Sequence, residues 1–264
     1  MTKKEKTILF LIQSCNKQHY IDEENFIKST WGKDVLDEKY PGVDLLFYKG
    51  DGDDSIKGDT LYLNEDDGLF HTYEKTVQAI GAVLEQYDYI IRTNTSIYCN
   101  VPNIIHNVRN NFQPKKLLYI GGNLVANKDT ENIPFIRGNF LVLNKTAQKA
   151  IVDSYGLITN TGIDDININI NLAKYCVDNN INYFSILKQI PNVKYDDNFS
   201  NNNLKDLFYV RLTDFNKKHE KQNILNPIFT IHSLNNNQIT EIKPNDFKEV
   251  ETSKGLLPWN PENK

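Results

Sequence analysis

Cysteine is scarce in this chain of 264 residues, and the three present, Cys15, Cys99 and Cys176, lie far apart with no C-x-x-C spacing. That excludes a disulfide framework and a thiolate zinc site, and leaves free thiols in a reducing compartment as the expectation. Long apolar runs are also missing. The opening stretch MTKKEKTILFLIQSC is basic and then apolar, but Gln13 and Ser14 interrupt it before any small-residue cleavage site. It reads as a first strand rather than a signal peptide. No other stretch approaches the ~20 apolar residues that span a bilayer. An excess of positive charge is lacking too: 30 Lys and Arg stand against 34 Asp and Glu, a formal net charge of -4, which argues against nucleic-acid binding over the whole surface. There is no internal repeat and no linker long enough to mark a domain boundary.

What is present suits one large α/β domain, or two small ones, with a substantial core. Strands are expected at Thr7–Ser14, Val43–Tyr48, Thr60–Leu63, Tyr89–Ile91, Leu117–Ile120, Asn139–Asn144, Phe208–Leu212 and Ile228–Ile231. Between them, apolar residues at three- and four-residue steps predict helices over Asp22–Trp31, Phe70–Tyr87, Pro102–Asn111 and Thr146–Tyr155, with another starting near Asp164. This alternation implies a mostly parallel sheet, its later strands turning antiparallel. The acidic, Gly-rich stretch Gly50–Gly58 lacks the EF-hand spacing and reads as a solvated loop.

The chain is organised around Tyr87–Asn100, YDYIIRTNTSIYCN. A short β-forming run, Tyr89-Ile90-Ile91, ends in the polar cluster Arg92-Thr93-Asn94-Thr95-Ser96. In an open α/β sheet, ligands bind just beyond the carboxyl ends of such strands. Small hydrogen-bonding groups beside one cation suit a polar ligand there, although the same residues also make an ordinary turn.

Six stretches then line up, in order, with one known pattern. Phe26–Gly32 resembles the A-I-R-x-T-W-G motif of family 31 glycosyltransferases, which include β-1,3-galactosyl- and β-1,3-N-acetylglucosaminyltransferases and Fringe. Leu46–Gly50 is similar to that family's F-L-L-G. Asp66–Thr76 resembles D-F-x-D-S-Y-x-N-L-T-x-K-T, and Ile91–Asn100 falls on L-K-T-D-D-D-V-F-V-N without a gap. Pro134–Asn144 resembles P-x-Y-x-x-G-x-G-Y-V-L-S, and Ile163–Ile166 resembles the late E/D-D-V. Together they cover roughly Thr7 to Leu172.

The resemblance implies a GT-A (Rossmann-like) α/β fold, with a mostly parallel central sheet flanked by helices. It implies a nucleotide-sugar-binding half (1–100) and an acceptor-side half (101–250), while the Pro-rich end of the chain (251–264) reads as an extended tail. The implied activity is inverting transfer of a sugar from a nucleotide-sugar donor, a UDP-sugar in the first instance, to a glycan or other hydroxyl acceptor. Asp165 falls on the motif's aspartate and is the preferred catalytic base with Asp164 beside it; a helix N-cap is the plainer role for the pair. The expected donor-binding residues are Ser14, Lys28, Lys75, Arg92, Asn94, Thr95 and Ser96. Arg137, Gly138 and Asn139 are expected on the acceptor side.

One departure stands out. The family's metal-binding aspartates fall on Asn94, Thr95 and Ser96, none a carboxylate. Mg²⁺ and Mn²⁺ prefer anionic oxygen ligands, so a divalent metal is disfavoured and no cofactor is expected. A cation such as Arg92, or the basic run Lys217, Lys218, His219 and Lys221, would then meet the leaving diphosphate. His232 reads as a partly buried core histidine. The alternative is a degenerate GT-A module that binds a glycan or nucleotide without catalysis. Family members are usually membrane-anchored, whereas this sequence reads as a cytoplasmic bacterial or viral enzyme.

Overall fold

The computed structural model describes residues 7–111, 120–126, 134–157, 164–189 and 209–211. Its main sheet has eight strands in the order β3-β4-β2-β1-β5-β8-β7-β9. In chain order these are β1 (Ile8–Gln13), β2 (Val43–Lys49), β3 (Ser55–Lys57), β4 (Thr60–Tyr62), β5 (Tyr89–Asn94), β7 (Ile120–Ala126), β8 (Pro134–Asn144) and β9 (Leu187–Gln189). The pairings β4–β2, β2–β1, β1–β5 and β7–β9 are parallel. The pairings β3–β4, β5–β8 and β7–β8 are antiparallel. A second, two-stranded sheet pairs β6 (Ile97–Cys99) with β10 (Tyr209–Arg211).

Strand alternation divides the core between the two faces of the sheet. Ile8, Phe10 and Ile12 of β1 and Tyr89 and Ile91 of β5 face one helical layer, which contributes Ile27, Trp31, Val35, Ile104 and Val108. That layer is α1 (Gln18–Ser29), α2 (Lys33–Leu36) and α4 (Val101–Asn111). Leu9, Leu11 and Ile90 face the other layer, which contributes Val77, Ile80, Ile151, Ile168 and Leu172. That layer is α3 (Thr72–Ala82), α5 (Lys145–Asp153), α6 (Asp164–Asp178) and the short α7 (Tyr183–Ile186). Burying one such aliphatic side chain stabilises by roughly 1.5–3 kcal/mol, so two full faces outweigh any local preference at an element's end.

The α/β expectation holds, with shifted boundaries. The first helix begins at Gln18 rather than Asp22, and no acidic residue lies in its first turn. Glu24 is a buried member of its inner face. The long helix expected over Phe70–Tyr87 is shorter: Leu69–His71 form a 3₁₀ turn, Phe70 is exposed, and α3 ends at Ala82. Glu85, at φ +65, takes a left-handed turn that brings the chain back to β5. The acidic stretch Gly50–Gly58 is largely solvated as expected, but it is not all loop: Ser55–Lys57 form the short edge strand β3. Of the strand expected at Leu117–Ile120 only Ile120 is described, and β7 runs on from it through Gly121 and Gly122 to Ala126. The expected strand at Ile228–Ile231, the basic run Lys217–Lys221, His232 and the tail 251–264 lie outside the described residues.

Candidate functional site

β1, β2 and β5 run parallel, so Gln13–Cys15, Lys49–Gly50 and Asn94–Ser96 emerge together at one edge of the sheet. This is the edge where a crevice forms in open α/β sheets. The N-terminus of α6 also reaches it, because Arg92 at the end of β5 forms an ion pair with Asp164.

The carboxylate pair opens α6 and is held on both sides. Asp164 Oδ2 accepts from Arg92 Nη2, and its Oδ1 accepts the backbone N–H of Asp165 at 2.9 Å. Asp165 Oδ2 accepts the N–H of Gly138 at 3.1 Å, and its Oδ1 accepts the N–H of Ile166 at 2.9 Å. Both carboxylates lie in the first turn of α6, where each accepts the N–H of the residue after it, and Asp165 also anchors α6 to β8. Burial and the neighbouring charge of Asp164 raise the Asp165 pKa above the ordinary carboxyl value, against the pull of the Gly138 N–H and Arg92. Gly138 is tightly enclosed: a Cβ there would lie 2.9 Å from Asp165 Cβ, 3.2 Å from Arg92 Nη1 and 3.3 Å from Asp164 Oδ1. Only glycine lets the strand lie this close to the pair.

Four basic side chains on these elements are each matched by a carboxylate. Arg92, 1% exposed, pairs with Asp164. Lys75, equally buried, pairs with Asp67 at 2.7 Å. Lys49 pairs with the buried Glu24 at 2.8 Å, and Glu24 also accepts from Ser14 Oγ. Lys28 pairs with Asp59 at 2.9 Å on the half-buried flank of α1. Asp67 also accepts the backbone N–H groups of Asn16 at 2.6 Å and Gly50 at 2.8 Å. Burial opposes its charge, but Lys75 and these two donors together hold its pKa below the usual carboxylate value.

The turn Asn94–Ser96 is closed on itself and on α1. Ser96 Oγ donates to Asn94 Oδ1 at 2.7 Å, Thr95 Oγ1 donates to Glu23, and the Thr95 N–H reaches Gln13 O at 3.3 Å. Burial raises the Glu23 pKa, partly offset by Thr95. A divalent ion does not fit this donor set, which is one amide oxygen and two hydroxyls already engaged with neighbours. Among the described residues no group of three or more His, Cys, Asp or Glu side chains could hold a metal.

Of the expected site residues, Arg92, Asp164, Asp165 and Gly138 come together in one cluster, with Lys75 linked to it through α3. Ser14 serves the Glu24–Lys49 network. Arg137 is partly exposed on β8, and the Asn139 carbonyl accepts from Thr93 Oγ1 at 2.9 Å. Sequence reasoning missed Gln13, Tyr48, Glu24, Lys49 and Asp67. Gln13, Tyr48, Lys49 and Asp67 look like ordinary strand-end or loop residues and Glu24 like one of several acidic residues on a helix, and only the eight-residue step from Asp67 to Lys75 across one helix start gave any signal.

No protein-family model and no curated protein matches the chain. Among solved structures it is similar to the catalytic domain of Drosophila beta1,4-galactosyltransferase 7 with xylobiose, at 12% identity over 90% of this chain and 83% of that one, TM-score 0.43. A mutant of the same Drosophila enzyme with manganese, UDP-Gal and xylobiose gives 12% identity over 82% and 75%, TM-score 0.40. A glycosyltransferase involved in glycosylation of the PBCV-1 major capsid gives 10% identity over 84% and 99%, TM-score 0.43. Identities of 10–12% carry no residue-by-residue correspondence.

Proposed function

We propose that this protein is an inverting GT-A-type glycosyltransferase that moves a sugar from a UDP-sugar donor to a glycan or other hydroxyl acceptor. The observation that carries the reading is the Asp164–Asp165 pair, with Asp165 buried and Asp164 partly exposed, beside Gly138 and beside Arg92 near the end of β5. Two adjacent carboxyls in unlike environments suit acid–base work: one is held by a guanidinium, the other has a raised pKa. In the proposed step Asp165 takes the proton of the acceptor hydroxyl. The acceptor oxygen then attacks the anomeric carbon from the face opposite the diphosphate, whose oxygen leaves with the bonding electron pair.

In this reading the 1–100 half holds the donor, with the Asn94–Ser96 turn against its polar atoms, and the 101–250 half presents the acceptor beside Gly138. No step runs through a metal, because the turn offers no carboxylate. The free thiols Cys15, Cys99 and Cys176 support a reducing compartment, the cytoplasm of a bacterial or virus-infected cell. Among the described residues, no helix is long and apolar enough to cross a membrane.

A second reading, a non-catalytic glycan or nucleotide-binding module, is favoured by one observation: the four basic side chains named above all have carboxylate partners. The separating experiment is a thermal-shift screen of the protein with nucleoside diphosphates, followed by NMR of the product formed from the best donor. Stabilisation by UDP and release of a β-anomer from an α-linked donor are expected. Binding without turnover over any donor and acceptor set would favour the module.

A further inference from the structure

Arg92 sits at the centre of the proposed site, yet each of its three nitrogens is already engaged by the protein. Nε donates to the Tyr48 hydroxyl at 3.0 Å, Nη1 donates to the Gly138 carbonyl, and Nη2 faces Gln13 Oε1, Asp164 Oδ2 and, at 3.3 Å, Thr76 Oγ1. These acceptors come from β1, β2, α3, β8 and α6. Asp164 is the only carboxylate among them.

Burying a guanidinium costs several kcal/mol unless a counter-charge and well-placed acceptors offset it. Here they do: burial opposes the charge, but Asp164 and Tyr48 keep the group more firmly protonated than usual. A cation committed in this way has little left to offer a diphosphate. What it does instead is geometric. It joins the carboxyl ends of β1 and β2 to the start of α6, and it holds the Gly138 carbonyl while the Gly138 N–H holds Asp165.

The geometry points to Arg92 as a positioning residue that acts through Asp164 and Gly138, with Tyr48, Gln13 and Thr76 fixing its plane. This rests on the glycosyltransferase reading only in taking the Asp164–Asp165 pair as the reacting group. A lysine at this position would place three donors on one nitrogen and could not span acceptors on five elements, so the planar fork is required.

The charged and titratable groups facing this junction are Asp164 and Asp165 from α6, Tyr48 from β2 and Arg92 itself from β5. The test compares wild type with Arg92→Lys, Arg92→Met and Tyr48→Phe in the full chain. Calorimetry with UDP reads donor affinity, hydrolysis of UDP-galactose or UDP-glucose reads turnover, and carboxyl-carbon NMR reads the titration of Asp165. Arg92→Lys should lower kcat by roughly 10²-fold and leave the UDP Kd within about twofold, the mark of a group that acts on chemistry rather than on donor binding. In Arg92→Met the acid limb of the kcat profile should move to higher pH, because the Arg92 charge is one of the influences that hold the Asp165 pKa down against burial and Asp164. Tyr48→Phe should shift both in the same direction but less, and it serves alone if Arg92→Met fails to fold.

A UDP Kd weakened tenfold or more with kcat unchanged at saturating donor would make Arg92 a donor ligand and overturn the inference. So would an Asp165 titration that does not respond to any of the three variants. The NMR titration needs no substrate. Wild type that binds no sugar nucleotide therefore counts against the proposed reaction, while the action of Arg92 on the carboxyl pair is still decided.

Discussion

Asp165 Oδ2 accepts the backbone N–H of Gly138 at 3.1 Å, so the carboxylate that opens α6 is bonded to the strand that would present the acceptor. The bond fixes where that carboxylate points, and burial together with Asp164 raises its pKa. A base held this way should be sensitive to loss of charge but not of shape. Asp165→Asn should lower turnover by roughly 10²–10⁴-fold with donor affinity nearly unchanged, and Asp164→Asn should cost less. Steady-state kinetics with the best donor would check this; equal and small losses at both positions would reduce the pair to a helix cap.

The same residue predicts a stability slope. A carboxyl whose folded-state pKa is raised adds stability below its unfolded pKa and loses that contribution as pH rises through the folded value. Wild type should thus lose stability relative to Asp165→Asn as the pH climbs from the acid range toward neutral. Urea unfolding of both proteins at several pH values would measure it, and parallel pH profiles would count against a strained carboxyl at this position.

Lys75 and Asp67 form the most enclosed ion pair at this edge, with side chains 2% and 7% exposed. Breaking a buried pair from one side strands the remaining charge, at a cost of about 3–5 kcal/mol. Lys75→Met and Asp67→Asn should each destabilise by that order, and the double variant by clearly less than their sum, since the two share one interaction. The Asp67 contribution has the opposite sign to that of Asp165: its lowered pKa gives stability above the unfolded value that is lost as pH falls through the folded one. If Lys75→Met instead left stability unchanged and weakened only UDP binding, Lys75 would be a phosphate contact, as the motif resemblance implies.

The chemistry of Asn94, Thr95 and Ser96 predicts indifference to chelation. Affinity for UDP, measured by calorimetry, should be the same within about twofold in EDTA and in millimolar Mn²⁺, because neutral amide and hydroxyl oxygens contribute little to a site for a hard cation. Affinity that collapses on chelation and returns with Mn²⁺ would refute this reading of the turn.

Much of the α/β frame was legible in the sequence because it rests on local periodicity. The alternation of Ile8, Phe10 and Ile12 with Leu9 and Leu11 specifies a strand buried on both faces. The polar turn after β5, the acidic pair at the start of α6 and the lack of carboxylates at Asn94–Ser96 are likewise written in single short stretches. Helix ends were less legible: Phe70 and Tyr87 continue the apolar spacing of α3, but Phe70 is exposed, and although Val83 and Tyr87 still pack on the core, the helix stops at Ala82 and Glu85 turns the chain away.

The pairing of the charges was decided by tertiary structure alone. Arg92 and Asp164 lie 72 residues apart, and Tyr48 and Arg92 lie 44 apart. Nothing near Arg92 in the chain distinguishes a guanidinium aimed at a ligand from one buried against a carboxylate. The difference depends on α6 docking its N-terminus beside β5, which follows from which faces of the sheet and helices are covered together. Periodicity fixes the face on which a side chain lies. The counter-charge it meets there is set by the packing of elements distant in sequence, because a buried ion can persist only where the fold brings it a partner.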